Sequence, residues 1–252
     1  MTLSVTGLTK SYGALRVTDG VSFEMPADGL VGIIGPNGAG KSTLFSLLTG
    51  FQSADGGEIC FQGQMITRVS AIGRAQAGLV RTFQVPREFT HLTVRENLMA
   101  AAPGQPGESL LRLFLRPGAV RVREAALARE ADAMLAFLRL EHVASVPAGR
   151  LSGGQKKLVE LGRALMTGAR TVLLDEPFAG VNPVLITEIA SRIRELNVKG
   201  VGFLIIEHDL GALAKLVDVF HVMDRGKIIA SGAPAAVLAD PAVREAYLGG
   251  LS

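Results

Sequence analysis

A single cysteine, Cys60, in 252 residues leaves no intrachain disulfide and no multi-cysteine metal site. It reads as a small buried hydrophobe in a reducing compartment. No stretch reaches the ~18 unbroken apolar residues of a membrane span. The start MTLSVTGLTKSYG has neither the basic opening nor the apolar core of a signal peptide. A cytoplasmic chain that meets a membrane only through another subunit is expected. Charge of one sign is also scarce: 26 basic against 23 acidic residues leave +3, with no run of five or six like charges. That excludes a nucleic-acid-wrapping tail, and no nucleic-acid partner is expected. Internal repeats and low-complexity tracts are missing, so a repeat array is excluded. What is abundant is apolar and small: 48% apolar residues plus 30 glycines, against 19% charged, where soluble domains run near 45–50% and ~25%. The surplus fits either surface buried against partners or a preference for alanine and glycine.

At 252 residues the chain suits one large domain or two lobes. The first thirty-five residues hold short apolar runs punctuated by glycine and aspartate, which predicts strands joined by turns in a mixed or antiparallel edge sheet. LVGIIG, Leu30 to Gly35, is a compact strand, and STLFSLLT after it is a helix stopped by Gly50. Between about Val85 and Arg150 strand signals fade. Leu127, Ala131, Met134, Leu135 and Leu138 recur at helical spacing, predicting a helical lobe whose beginning is obscured by Pro103, Pro106 and Pro117. After Gly168 an α/β rhythm returns: TVLLD and VGFLII as strands, with Ile186, Ile189, Ile193 and Leu196 on one helix face between them. A hairpin around Asp224–Arg225–Gly226 and short helices after Pro234 and Pro241 complete the chain.

Gly35, Pro36, Asn37, Gly38, Ala39, Gly40, Lys41 and Ser42 satisfy G-x-x-x-x-G-K-[ST] between a strand and a helix. Glycines let backbone N–H groups close around phosphates, and the helix N-terminus adds positive potential. Lys41 reaches the β/γ-phosphates, and the Ser42 hydroxyl, with Thr43 beside it, faces Mg²⁺. The apolar run TVLL delivers Asp175 and Glu176 together at a strand end, where successive side chains point opposite ways. Asp175 suits the metal's water shell and Glu176 the attacking water, since phosphoryl transfer needs a positioned nucleophile. Ser152-Gly153-Gly154-Gln155 opens the amphipathic run KKLVELGRALM. It can be a second phosphate contact at a helix N-terminus or an ordinary N-cap turn.

GPNGAGKS, LSGGQ and LLDEP in this order closely resemble the ATP-binding cassette of ABC proteins over nearly the whole chain. The resemblance implies an α/β P-loop NTPase with a RecA-like core, an N-terminal antiparallel β subdomain and an α-helical subdomain. Residues 1–84 and 160–252 are assigned to the core and β subdomain, and about 85–159 to the helical part. It implies ATP and Mg²⁺ as ligands, with Tyr12 stacking on adenine, Gln84 touching Mg²⁺ and the lytic water, and His208 contacting the γ-phosphate. It also implies that Ser152, Gly153, Gly154 and Gln155 cap the ATP held by the P-loop of a second cassette, a copy or a homologous subunit. RTFQ at 81–84, LTVRENLM at 92–99, AGVNP at 179–183, IEHDL at 206–210 and AYLG at 246–249 are similar to the ATP-binding subunits of branched-chain amino acid importers. Those work with transmembrane permease subunits and, through them, a periplasmic binding protein.

Three positions depart from the general cassette pattern. Asn182 stands where most cassettes place an aspartate, and Lys156-Lys157 replace the arginines after the signature, keeping the charge. His91, His142 and His221 match no motif. A guanine-reading N-K-x-D and a D-x-x-G switch are both missing, which excludes a signalling GTPase. A soluble single-cassette ATPase such as an iron–sulfur assembly scaffold stays open as an alternative, as does a lipopolysaccharide-export cassette, which shares the DEPFAGV wording.

Overall fold

The computed structural model describes residues 2–82, 88–105 and 117–249. In chain order the strands are β1 (Leu3–Tyr12), β2 (Leu15–Met25), β3 (Leu30–Ile34), β4 (Gly56–Phe61), β5 (Gln64–Met65), β6 (Leu79–Arg81), β7 (Thr171–Asp175), β8 (Gly202–Ile206), β9 (Val219–Asp224) and β10 (Lys227–Gly232). The α-helices are α1 (Lys41–Leu48), α2 (Ala71–Gln76), α3 (Val94–Ala101), α4 (Pro117–Leu138), α5 (Gly153–Met166), α6 (Pro183–Val198), α7 (Leu210–Leu216), α8 (Pro234–Ala239) and α9 (Pro241–Gly249). The chain separates into two compact units. One holds Met1–Gln84, Arg170–Ala179 and Pro183–Ser252, and the other Val85–Ala169 with Gly180–Asn182. The sequence places the end of the helical part near residue 159. It lies at Ala169, because α5 is one continuous rod through Met166 and stays whole within its unit.

The first unit contains an antiparallel sheet in the order β2-β1-β4-β5 and a six-stranded sheet in the order β10-β9-β3-β8-β7-β6. In the second sheet only the β9–β10 hairpin is antiparallel. Its central strands β3, β7 and β8 are buried along their whole length. That is the pattern of parallel strands covered on both faces, and it explains why LVGII, TVLLD and GFLII read as unbroken apolar runs. Leu3, Val5, Leu8 and Met25 of the antiparallel sheet share one core with Leu44, Phe45 and Leu48 of α1 and with Ile33, Leu173 and Leu204 of the parallel strands. The helix that follows β3 is thereby held by apolar packing from both sheets. The β9–β10 turn takes positive φ at Arg225 and Gly226, the geometry of a tight two-residue hairpin.

In the second unit α4 begins at Pro117, where a missing N–H costs a helix nothing. Leu127, Ala131, Leu135 and Leu138 are buried along it as their spacing predicts. The TVRE of LTVRENLM is a capping box: Thr93 accepts from the Glu96 N–H, and Glu96 accepts from the Thr93 N–H. Cys60 departs from expectation. It is half-buried on β4 rather than enclosed in the core, because it alternates there with the inward-facing Ile59 and Phe61.

Of the histidines outside any motif, His91 and His142 are exposed. His221 on β9 is only 7% exposed, stacks obliquely on Phe23 and pairs its Nδ1 with Ser231 Oγ at 2.7 Å. Burial pulls its pKa down to about 4. The unfolded chain, with a histidine near 6.5, therefore takes up the proton first as pH falls. The stability due to neutral His221 is complete above pH 6.5, is lost between 6.5 and about 4, and stays lost below. A gap of about 2.5 units corresponds to about 3 kcal/mol. Melting curves from pH 7 to pH 4 should show this loss, and His221→Phe should flatten the slope over that window. An unchanged slope contradicts the assignment.

Candidate nucleotide site

The strand order explains how distant residues meet. β3 lies between β9 and β8, and β7 lies beyond β8, so the carboxyl ends of β3, β7 and β8 open on one edge of the sheet, where ligands of open α/β sheets bind. Gly35 to Gly40 bridge β3 and α1 there. Asp175 and Glu176 close β7, and His208 follows β8 by two residues. A cleft of about 230 Å³ is lined by Val17, the loop from Asn37 to Thr43, Glu176, Ile206 and His208. Sequence reasoning places Lys41, Ser42, Glu176 and His208 in one site, and the fold brings all four to it.

The loop is tightly walled. A Cβ on Gly35 meets the Met223 carbonyl oxygen at 2.0 Å, and one on Gly40 meets the Val17 carbonyl oxygen at 2.4 Å; both residues have positive φ. Gly40 caps α1 in the left-handed region and offers no side chain to the first turn, which also carries no acidic residue. The leading N–H groups of α1 are left for an anion. Lys41 is buried and donates to Gly35 O at 2.7 Å and Pro36 O at 2.9 Å. Desolvation pulls its pKa down, opposed by the charges of Glu176 and Asp175. A buried cation hydrogen-bonded to neutral carbonyls beside a ring of backbone donors fits a polyphosphate. Ser42 is exposed at the first turn of α1. Among the described residues no group of three His, Cys, Asp or Glu side chains can hold a metal unaided. Ser42 and Asp175 fit Mg²⁺ only alongside phosphate oxygens.

Glu176 takes φ of +51°, a strained value for a side chain of its type, and its N–H donates to Ile206 O at 2.9 Å. That bond ties the strand end to β8. It aims the carboxylate at His208, whose Nε2 lies 3.0 Å from Glu176 Oε1. A carboxylate only accepts, so Nε2 carries the hydrogen.

Two residues in the site escaped sequence reasoning. Arg81, inside the quoted RTFQ, donates from Nη2 to Asp175 Oδ2 at 2.5 Å and from Nη1 to Ser46 Oγ at 3.0 Å. It neutralises a carboxylate that is only 5% exposed. Glu207, inside IEHD, is buried and accepts from the N–H groups of Phe178 at 2.6 Å and His208 at 2.8 Å. Desolvation pushes its pKa up, and those N–H donors oppose the shift. It joins the loop after β7 to the loop after β8, and so fixes the distance between Glu176 and His208. The only signal for either residue is a charged side chain inside a motif quoted for its neighbour.

Gln84 lies outside the described residues. Tyr12, at the end of β1, is 46% exposed, and its hydroxyl donates to Gln52 Oε1, leaving a face for stacking. In the second unit Ser152 caps α5, accepting from the Gln155 N–H at 3.3 Å, while Gln155 Oε1 accepts from the Ser152 N–H at 3.0 Å. The N-cap turn anticipated as one reading of this segment is therefore present. Gly153 N–H and Gly154 N–H, at the positive end of a 14-residue helix, are groups that can meet an anion.

The family described as "ABC transporter" matches residues 18–179, and the one described as "Branched-chain amino acid ATP-binding cassette transporter" matches residues 227–250. The chain is 42% identical over 252 residues to the "Probable branched-chain amino acid transport ATP-binding protein LivG" of Methanocaldococcus jannaschii, covering 98% of this chain and 97% of that one. It is 35% identical over 247 residues to the "Lipopolysaccharide export system ATP-binding protein LptB" of Haemophilus influenzae, covering 98% and 97%. Among solved structures, the "ADP conformation of MJ1267, an ATP-binding cassette of an ABC transporter" superposes with a TM-score of 0.83 at 39% identity, covering 98% of both chains.

Proposed function

Because this chain belongs to the ABC transporter family, whose cassettes are ATPases, we propose that it is the ATP-hydrolysing subunit of a membrane importer of branched-chain or related amino acids. The observation that carries the ATPase part is the convergence of the Lys41 loop with the Glu176–His208 pair at 3.0 Å on one sheet edge. Lys41 exchanges its carbonyl partners for the β- and γ-phosphate oxygens, and the amides of Gly38 to Ser42 hold the rest of the triphosphate. Ser42 and Asp175 would hold Mg²⁺, which would supply charge neutralisation on the phosphates; Gln84, outside the described residues, is assigned to the same ion by the family resemblance alone. Glu176 orients a water whose oxygen bonds to the γ-phosphorus as the β–γ bridging oxygen leaves with ADP. His208 holds the Glu176 carboxylate in place and donates toward the γ-phosphate once ATP arrives. Tyr12 stacks on the adenine.

Ser152, Gly153, Gly154 and Gln155 are assigned to the ATP of a second cassette, a copy or a homologous subunit, so that nucleotide joins two chains; Ser152 and Gly153, at the exposed start of α5, suit that contact. Asn182 sits in the loop leading from the Glu176 turn into α6 and is assigned to that junction. No described helix is long and apolar enough to cross a membrane. The chain is placed at the inner face of the cell membrane through permease subunits, with a periplasmic binding protein selecting the solute.

Two findings favour import of branched-chain amino acids: the full-length likeness to LivG, and the match over residues 227–250. The likeness to LptB covers the same length at lower identity. Purification of the tagged chain from membranes should bring down a multispanning permease. In the assembled complex, leucine, isoleucine or valine with its receptor should raise the ATPase rate severalfold. Recovery of soluble proteins alone, or a rate indifferent to every amino acid, contradicts the importer.

A further inference from the structure

The two residues assigned to one metal ion, Ser42 and Asp175, stand on different elements, Ser42 in the first turn of α1 and Asp175 at the end of β7. A continuous run of hydrogen bonds joins them. Arg81 Nη2 donates to Asp175 Oδ2, Arg81 Nη1 donates to Ser46 Oγ at 3.0 Å, and Ser46 Oγ donates to Ser42 O at 2.8 Å, one turn back along α1. The hydroxyl accepts one bond and donates the other, so its capacity is used without conflict. The Arg81 side chain is only 10% exposed, and its guanidinium carbon lies 5.7 Å from the centre of the Phe45 ring on the same helix, within cation–π range. The neighbouring residue secures the backbone: Thr82 N–H donates to Leu173 O at 2.9 Å, and Asp175 N–H donates to Thr82 Oγ1 at 3.4 Å. The end of β6 thus holds Asp175 by its carboxylate and its backbone, and meets α1 through Ser46 and Phe45. A planar fork suits such a span, since two of its N–H groups serve different acceptors in a fixed geometry.

We propose that Arg81 is a positioning residue of the ATP site, its guanidinium spanning Asp175 and Ser46 so that the two groups assigned to Mg²⁺ stand at a fixed separation. It acts through Asp175 and Ser42 rather than on a reacting atom. Arg81 engages Oδ2 of Asp175, and Oδ1 is the oxygen assigned to the metal's water shell. The inference rests on the ATPase reading above. A carboxylate clamped before nucleotide arrives needs none of the binding free energy to find its place. The effect is confined to the metal. ATP held by Lys41 and the loop amides does not draw on the clamp, while the gain in affinity that Mg²⁺ brings does.

The test uses the full-length chain and two variants, with the affinity for a fluorescent ATP analogue measured in EDTA and again in Mg²⁺. Arg81→Lys keeps a cation beside Asp175 but cannot serve both partners. Ser46→Ala leaves the Arg81–Asp175 pair intact, cuts the link to α1 and installs the best helix former, so the nucleotide-free melting temperature should hold. In the unsubstituted chain Mg²⁺ should tighten binding, and both variants should keep its affinity in EDTA. The tightening by Mg²⁺ should fall about fivefold in Arg81→Lys and about threefold in Ser46→Ala, the scale of one hydrogen bond lost or weakened. The Mg²⁺ concentration giving half-maximal ATPase in the transporter complex should rise in the same order. An unchanged Mg²⁺ response in Ser46→Ala overturns the inference whether or not Arg81→Lys folds. A stronger response in either variant also overturns it, because Arg81 is then a competitor of the metal. An unsubstituted chain that binds the analogue equally with and without Mg²⁺ overturns it too, and leaves ATP binding standing. Failure of the unsubstituted chain to bind the analogue at all overturns the ATPase reading beneath it.

Discussion

Glu176→Gln is expected to bind ATP as tightly as the unsubstituted chain and to hydrolyse it about 10²–10⁴ times more slowly, the usual contribution of a positioned general base. The substitution keeps the shape of the side chain and the Glu176 N–H bond to Ile206 O, so the strained strand end persists. It removes the negative charge that polarises water and weakens the hold on His208 Nε2, 3.0 Å away. In the proposed site nucleotide affinity is assigned to Lys41 and the loop amides, which the change does not touch. Single-turnover ATPase with equilibrium binding on the same sample separates the two quantities. Undiminished turnover removes Glu176 from its role, and lost binding shows that the substitution has deformed the cleft instead.

Arg74→Ala is expected to cost about 3–5 kcal/mol of folding stability, from carbonyls left without their donor at about 1–3 kcal/mol each where buried, together with the lost packing of a fully buried side chain. Arg74 is 2% exposed, and its guanidinium donates to four backbone oxygens: Val69 O at 2.9 Å, Thr67 O at 2.8 Å, Leu47 O at 2.6 Å and Leu48 O at 2.7 Å. Leu47 and Leu48 are the last residues of α1, whose carbonyls have no intrahelical partner and carry the negative end of the helix dipole. The helix whose N-terminus follows the glycine loop is thus closed at its other end by a buried cation. Alanine removes this donor from all four carbonyls, leaving Leu47 O with the Gly50 N–H at 3.3 Å and taking the guanidinium from the buried Leu48 O. Arg74→Lys keeps the charge but reaches fewer of them, so its loss should be intermediate. Denaturant titration reads the difference, and a change below about 1 kcal/mol in Arg74→Ala contradicts this role.

These two residues mark what a linear reading reaches. The place of Glu176 at the end of β7 is legible because an apolar strand, an acidic pair and a proline follow one another locally, and the glycine loop between β3 and α1 is legible from its spacing. Strands β3, β7 and β8 are legible because their apolar runs are only about five residues long and rich in Val, Ile and Leu, too short for a helix. Arg74 is not legible: within AIGRAQ a lone arginine looks solvated, and only the return of residues 67–74 beneath α1 buries it. Arg81 and Glu207 fail for the same reason, since their partners lie 94 and 29 residues away and depend on β6 pairing with β7 and β7 with β8. Cys60 misleads in the opposite sense. Its side chain is small and apolar, but strand alternation turns it away from the core that Ile59 and Phe61 enter.

The central claim is that ATP gripped by the Lys41 loop of one chain is completed by Ser152–Gln155 of another. Sedimentation of the Glu176→Gln chain, alone and mixed with the cassette that co-purifies with it, tests this most directly when run with ATP and then with ADP. ATP should convert single chains into pairs holding two nucleotides, ADP should leave them single, and Ser152→Arg should abolish pairing while ATP still binds. Particles that hold ATP yet contain one chain in both samples contradict the account.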